Sequence, residues 1–179
     1  MGKLERYVQS PNRLDSYRYQ AIKRICSGLY TTGSTALEVG PADGTFARLI
    51  SDLGFTTTAV DMERNPQVRT EKRNAYEYVI VPGGIEKFDH TPFDLVHAGQ
   101  MLEHVPDPYE VLSHIKQLVR GHMIMTVPNF QIKSGEHLTV FTKESAMDLF
   151  SSCFEVTHSE VVRDPRKHKE DYVLVGRPI

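Results

Sequence analysis

The chain has 179 residues and a mass of 20.3 kDa, with 40% hydrophobic residues, 25% charged residues and a formal charge of −2. That is room for a single globular domain over residues 1–179, and the charge excludes a basic nucleic-acid-binding surface spread along the chain. Cys26 and Cys153 match no metal or redox spacing, and no apolar stretch has the length of a signal-peptide core or membrane span, so a reducing, cytoplasmic setting with no membrane partner is expected.

In chain order, residues 1–14 read as an N-terminal arm. Residues 14–30 put Tyr17, Ile22, Ile25, Cys26 and Leu29 on one helical face, and Gly33 breaks the chain. Residues 35–39 (TALEV) read as a first strand, residues 40–44 as a tight glycine turn, and residues 45–53 as a helix closed by Gly54 at its C-cap. Strands follow at 57–60 (TTAV, ending at Asp61), 78–81 (YVIV, closed by Pro82, Gly83 and Gly84) and 93–98 (FDLVHA). Residues 108–119 form an amphipathic helix with Pro108 in its first turn, and residues 122–127 (HMIMTV) a fifth strand stopped by Pro128 and Asn129. Thr142 is the N-cap of another helix, with Ser145 at the capping-box position. Residues 154–162 and 172–176 are two last strands joined by a charged loop holding Arg163, Arg166, Lys167, His168 and Lys169, which reads as a solvated connection.

Seven strands and five helices in this rhythm predict an α/β fold. The expected architecture is a doubly wound, mostly parallel seven-stranded sheet with helices on both faces. The last two strands have no full crossover between them, so the final strand is expected to run antiparallel.

The segment from Ala36 to Phe46 (ALEVGPADGTF) carries the most chemistry. A strand ends, glycines turn the chain, and a helix begins with amide donors facing any ligand. Glu38 stands where a carboxylate can meet a cationic amine, and Asp61 ends the next strand about 20 residues further on, where a ribose diol would lie. The spacing of Gly40, Ala42 and Gly44 departs from the dinucleotide pattern.

On these residues the chain resembles the class I, Rossmann-like methyltransferases that use S-adenosylmethionine. Their first motif is an acidic residue followed by Gly-x-Gly-x-Gly, matched here by Glu38, Gly40, Ala42 and Gly44. The run MLEHVPDP at 101–108 is similar to the type-11 subgroup and to ubiquinone-biosynthesis O-methyltransferases within it. The resemblance covers about residues 37–141. It implies S-adenosylmethionine as cofactor and S-adenosylhomocysteine as product, held by Glu38, Gly40, Pro41, Asp43, Gly44 and Phe46. Asp61 would bond the ribose hydroxyls, Met62 would pack on the adenine, and Gly84, Ile85 and Glu86 would form the adenine loop with Gln100 and Met101 beyond it. Many relatives have an acidic residue where Gly84 stands, so the contact there is expected from backbone. Taken singly, Phe46, Met101 and Leu102 read as core.

Methyl transfer asks the protein for positioning, desolvation and proton removal rather than a covalent nucleophile. His104 is the expected general base, with Glu103 orienting it, and a structural role at the helix start is its alternative. His137, in the run shared with type-11 relatives, is expected to face His104 across the acceptor pocket. Glu103, His104 and His137 also form a mixed oxygen and nitrogen set suited to a divalent ion, as in small-RNA 2′-O-methyltransferases. Gln100 replaces the first glutamate of that arrangement, so no metal is assigned.

The fold uses nearly the whole chain, leaving the 1–14 arm and the 128–141 loop to cover the acceptor. Tyr7, Tyr17 and Tyr19 are candidates for part of that cover. A thin lid implies an open pocket, one completed in a homodimer, or a bulky acceptor such as a carrier-bound sugar. The expected function is methyl transfer to an oxygen or nitrogen of a small-molecule acceptor. The alternatives are a metal-assisted RNA ribose 2′-O-methyltransferase and a non-catalytic S-adenosylmethionine-binding subunit.

Overall fold

A computed structural model describes residues 17–63, 76–129, 137–164 and 169–179. The N-terminal arm, Tyr7, residues 130–136 of the acceptor-side loop and the basic residues Arg166, Lys167 and His168 lie outside the described residues. Seven strands form one sheet: β1 (Thr35–Val39), β2 (Thr56–Asp61), β3 (Glu77–Ile80), β4 (Phe93–Gly99), β5 (Val119–Pro128), β6 (Phe154–Asp164) and β7 (Lys169–Pro178). Their order is β3-β2-β1-β4-β5-β7-β6, parallel from β3 through β5, with β7 antiparallel to both β5 and β6.

Four α-helices are present among the described residues: α1 (Tyr17–Leu29), α2 (Thr45–Asp52), α3 (Pro108–Gln117) and α4 (Lys143–Ser151). The sequence reading counted five. Single 3-10 turns, Ile85–Lys87 and Leu102–His104, occupy two other connections, and residues 64–75 are not described. Strand β5 begins at Val119 rather than 122, because the chain leaves α3 through Leu118 directly into pairing with Phe93.

Alternate residues of the central strands face opposite layers, so each strand must be apolar on both sides. Leu37, Val39, Val96, Ala98, Met123 and Met125 pack in one cluster with α3 and α4. Ala36, Leu95, Ile124, Val173 and Val175 pack in the other with Ile22 and Cys26 of α1 and Leu49 and Ile50 of α2. Asp107 caps α3, its Oδ1 accepting from the Tyr109 and Glu110 amides at 2.9 and 3.1 Å. Thr142 and Ser145 form the reciprocal capping box that starts α4.

The strand order reverses between β1 and β4. At such a switch point the two connections leave toward opposite faces and open a crevice at the carboxyl ends of the strands. The candidate site lies there.

Candidate active site

Strand β1 delivers Glu38 to the crevice, 2% exposed. Its partner was not foreseen: His97 of β4 lies directly opposite in register, and its Nδ1 is 2.6 Å from Glu38 Oε2. Burial pushes the Glu38 carboxyl up, opposed by His97 and by Arg18.

The turn that follows is built from left-handed backbone. Gly40 has φ 66°, Ala42 φ 51° and Gly44 φ 78°. The Gly40 amide donates to Val60 O at 2.9 Å, tying the turn to β2, and a Cβ at Gly40 would sit 3.3 Å from Met101 Cβ. Pro41 is buried, and Asp43 Oδ1 accepts from the Thr45 amide at 3.2 Å, holding the start of α2. The Tyr76 side chain rests against Gly44, so the turn is closed on that side by an aromatic ring. Half-buried Phe46 covers the Glu38–His97 pair, its ring centroid 5.2 Å from that of His97.

Strand β2 ends at Asp61. Glu38 pairs with Ala59, so Asp61, two residues on, projects from the same face one step nearer the carboxyl edge. Its Oδ1 accepts from the Met62 amide at 2.8 Å, and burial pushes the carboxyl up. Met62 is 62% exposed, and its sulfur would lie 3.7 Å from a Cβ at Gly84. Gly84 (φ 100°), buried Ile85 and exposed Glu86 therefore form the wall next to Asp61 and Met62.

Beyond β4, Gln100 takes a left-handed conformation (φ 57°) and its amide donates to Thr126 O at 2.8 Å. Met101 follows, half-buried against the apolar cluster, and the His104 amide donates back to its carbonyl at 3.0 Å. The Glu103 carbonyl accepts from the Leu138 and Thr139 amides at 2.7 and 3.1 Å, which draws the distant 137–139 segment over the site. The rings of His104 and His137 meet edge to face with centroids 4.8 Å apart. Glu103 is 1% exposed, its Oε1 lies 3.8 Å from His104 Nε2, and burial pushes its carboxyl up to about 6. Glu103, His104 and His137 offer ligand atoms within 4.8 Å of one another, a donor set that a divalent ion could draw together.

Five buried side-chain atoms have no hydrogen-bond partner among the described residues: Arg18 Nε, His97 Nε2, Gln100 Nε2, Glu103 Oε2 and Thr126 Oγ1. Buried polar atoms without partners are costly in a finished core and ordinary in a binding site. They come from α1 (Arg18), β4 and the segment that follows it (His97, Gln100, Glu103) and β5 (Thr126). Arg18 lies over the Phe46 ring at 5.5 Å, reaches Asp171 at 3.5 Å, and draws down both Glu38 and Glu103. Tyr19 packs on Phe46 with centroids 6.0 Å apart, whereas Tyr17 is exposed. Sequence reading passed over Arg18, His97, Thr126 and Tyr76. For His97 a signal existed, a polar residue between Val96 and Ala98 in an otherwise apolar run. Arg18 carried none, because one basic residue on a helix has no motif.

The chain matches the model of a methyltransferase domain family over residues 12–160. It is 29% identical over 140 residues to a ubiquinone biosynthesis O-methyltransferase of Vibrio cholerae, covering 73% of this chain and 56% of that one. To the same enzyme of Vibrio parahaemolyticus it is 30% identical over 142 residues, covering 73% and 58%. The chain thus spans a little over half the length of these curated relatives. Among solved structures, the fold is similar to a Burkholderia thailandensis 1,6-didemethyltoxoflavin-N1-methyltransferase with bound S-adenosylhomocysteine (TM-score 0.70, 20% identity, 90% of this chain and 80% of that chain). It is also similar to the N-methyltransferase NodS of Bradyrhizobium japonicum (TM-score 0.71, 16% identity, 94% and 91%).

Proposed function

The chain belongs to the methyltransferase domain family, and we propose that it is an S-adenosylmethionine-dependent methyltransferase acting on an oxygen or nitrogen of a small-molecule acceptor. One observation carries the reading. Glu38 and Asp61 finish neighbouring parallel strands on the same face, with the left-handed Gly40–Gly44 turn beside them at the switch point. That spacing suits a ligand with a cationic amine at one end and a diol at the other.

The residues fit the cofactor in a further respect. The buried atoms left without partners include donors and acceptors, as a zwitterionic amino-acid head requires. When bound, S-adenosylmethionine supplies an electrophilic methyl on its sulfonium. Glu38 would hold the ammonium, Arg18 the carboxylate, and Asp61 the ribose hydroxyls. The turn residues Gly40, Pro41, Asp43 and Gly44 shape the cradle, and Phe46 excludes water above Glu38. Met62, Gly84, Ile85 and Glu86 receive the base, with Gln100 and Met101 forming the floor toward the acceptor.

His104, 41% exposed at its side chain, would take the acceptor proton. His137 packs on its ring and the Glu103 carboxylate lies 3.8 Å from its Nε2, so a proton held on the imidazole faces a carboxylate nearby. Accordingly, His104→Ala is expected to lower turnover by two orders of magnitude or more while changing cofactor affinity less than threefold. Equal losses in both would remove the base assignment. Calorimetric titration with S-adenosylhomocysteine tests the cofactor reading, and a pool of acceptors read out by release of that product tests the reaction.

The proximity of Glu103, His104 and His137 favours a second reading, a metal-assisted ribose 2′-O-methyltransferase. Loss of activity to a chelator, restored by a divalent ion, together with RNA binding, would decide for it.

A further inference from the structure

His97 stands in the middle of β4, within the run FDLVHAG, and it is 0% exposed. An imidazole there must be hydrogen-bonded to be tolerated. Its only bond among the described residues is to Glu38, at 2.6 Å. The pair is cross-strand and in register, and Phe46 seals it from above at 5.2 Å.

Space for the ring is provided two residues further along the same strand. A Cβ at Gly99 would lie 2.6 Å from His97 Cε1, 3.0 Å from Nε2 and 3.3 Å from Thr126 Oγ1. No side chain at position 99 is compatible with this placement of His97.

We propose that His97 is a positioning residue for the amino-acid head of the cofactor, donating its Nδ1 proton to one Glu38 oxygen so that the other is fixed toward the ammonium. The proposal rests on the cofactor reading above. Its chemistry follows from what each kind of neighbour would do to Glu38. An apolar neighbour would leave a buried carboxylate unsolvated, and it would take up a proton. A lysine or arginine at 2.6 Å would neutralise it and compete with the ligand's ammonium. An imidazole donating from Nδ1 satisfies one carboxylate oxygen and leaves the other for the ligand. Arg18, the nearby full cation, is turned to Asp171 and the Phe46 ring.

The test compares two ligands on the full chain, S-adenosylhomocysteine and 5′-methylthioadenosine, which shares the nucleoside and thioether but lacks the amino-acid head. Losing one charge-assisted bond is expected to weaken S-adenosylhomocysteine about tenfold in His97→Leu and in Gly99→Ala. Binding of 5′-methylthioadenosine should stay within about twofold, and His97→Asn, whose amide can replace the Nδ1 donor, should recover most of the loss. Should His97→Leu unfold, Gly99→Ala carries the comparison, since it keeps every polar group and only displaces the ring. Equal weakening of both ligands, or no weakening of either, would overturn the positioning role alone. A wild-type chain that binds neither ligand would overturn the cofactor reading and this role with it.

Discussion

Ala42 holds the middle position of the turn with φ 51°, a conformation that costs an alanine about 1 kcal/mol more than a glycine. Its side chain is exposed, so no packing opposes removal of the methyl group. Glycine's greater freedom in the unfolded chain returns about half of the gain. Ala42→Gly should therefore stabilise the protein by about 0.5 kcal/mol in a urea titration, and a destabilised variant would contradict the strain. Glu103 makes a pH-dependent prediction. Its folded value of about 6 lies above the unfolded value of about 4.3, so the folded state binds the proton more tightly. The stability it contributes is complete below about pH 4 and lost as pH rises through 6. Ionised and buried at pH 8, it costs at most about 2 kcal/mol. Glu103→Gln should gain stability over the wild type at pH 8 and little at about pH 4, with the gain growing steadily between the two; a difference that did not change with pH would count against the buried charge.

Helix α3 begins immediately after the turn that presents His104, and its first amides are held by Asp107. Asp107→Ala should cost about 1 kcal/mol, as other carboxylate N-caps do. The cap sits three residues beyond His104, so loosening it should also raise KM for the acceptor, a comparison made on the same preparation. The Glu103 carbonyl joins this turn to the 138–139 segment through two amide bonds, and so two elements far apart in sequence share one wall of the crevice. Neither helical periodicity nor capping residues announce such a bond. It depends on a loop returning to a turn.

For the molecule as a whole, a ligand bridging β1, β2 and α1 binds the folded chain and not the unfolded one. Saturation at one hundred times Kd adds about 2.7 kcal/mol, which for a chain of this size is a rise in Tm of roughly 5–10 °C. S-adenosylhomocysteine should give such a shift, and adenine alone much less. A thermal scan showing no shift at millimolar ligand would argue against the site at the switch point.

The alternation of apolar runs and amphipathic stretches was enough to predict the parallel sheet, its antiparallel end and the helices on both faces. Burial of both sheet faces leaves its mark on every residue of the central strands. The glycine turn, Glu38 and Asp61 were legible for the same local reason, since a sharp turn at a strand end demands particular residue types at fixed spacing. The pairing of Glu38 with His97 and the arrival of Arg18 from α1 were not legible. Each joins residues that are tens of positions apart, and cross-strand register and helix docking bring them together only after the sheet has formed. Local propensity acts over a few residues, whereas a binding site is a property of distances across the fold.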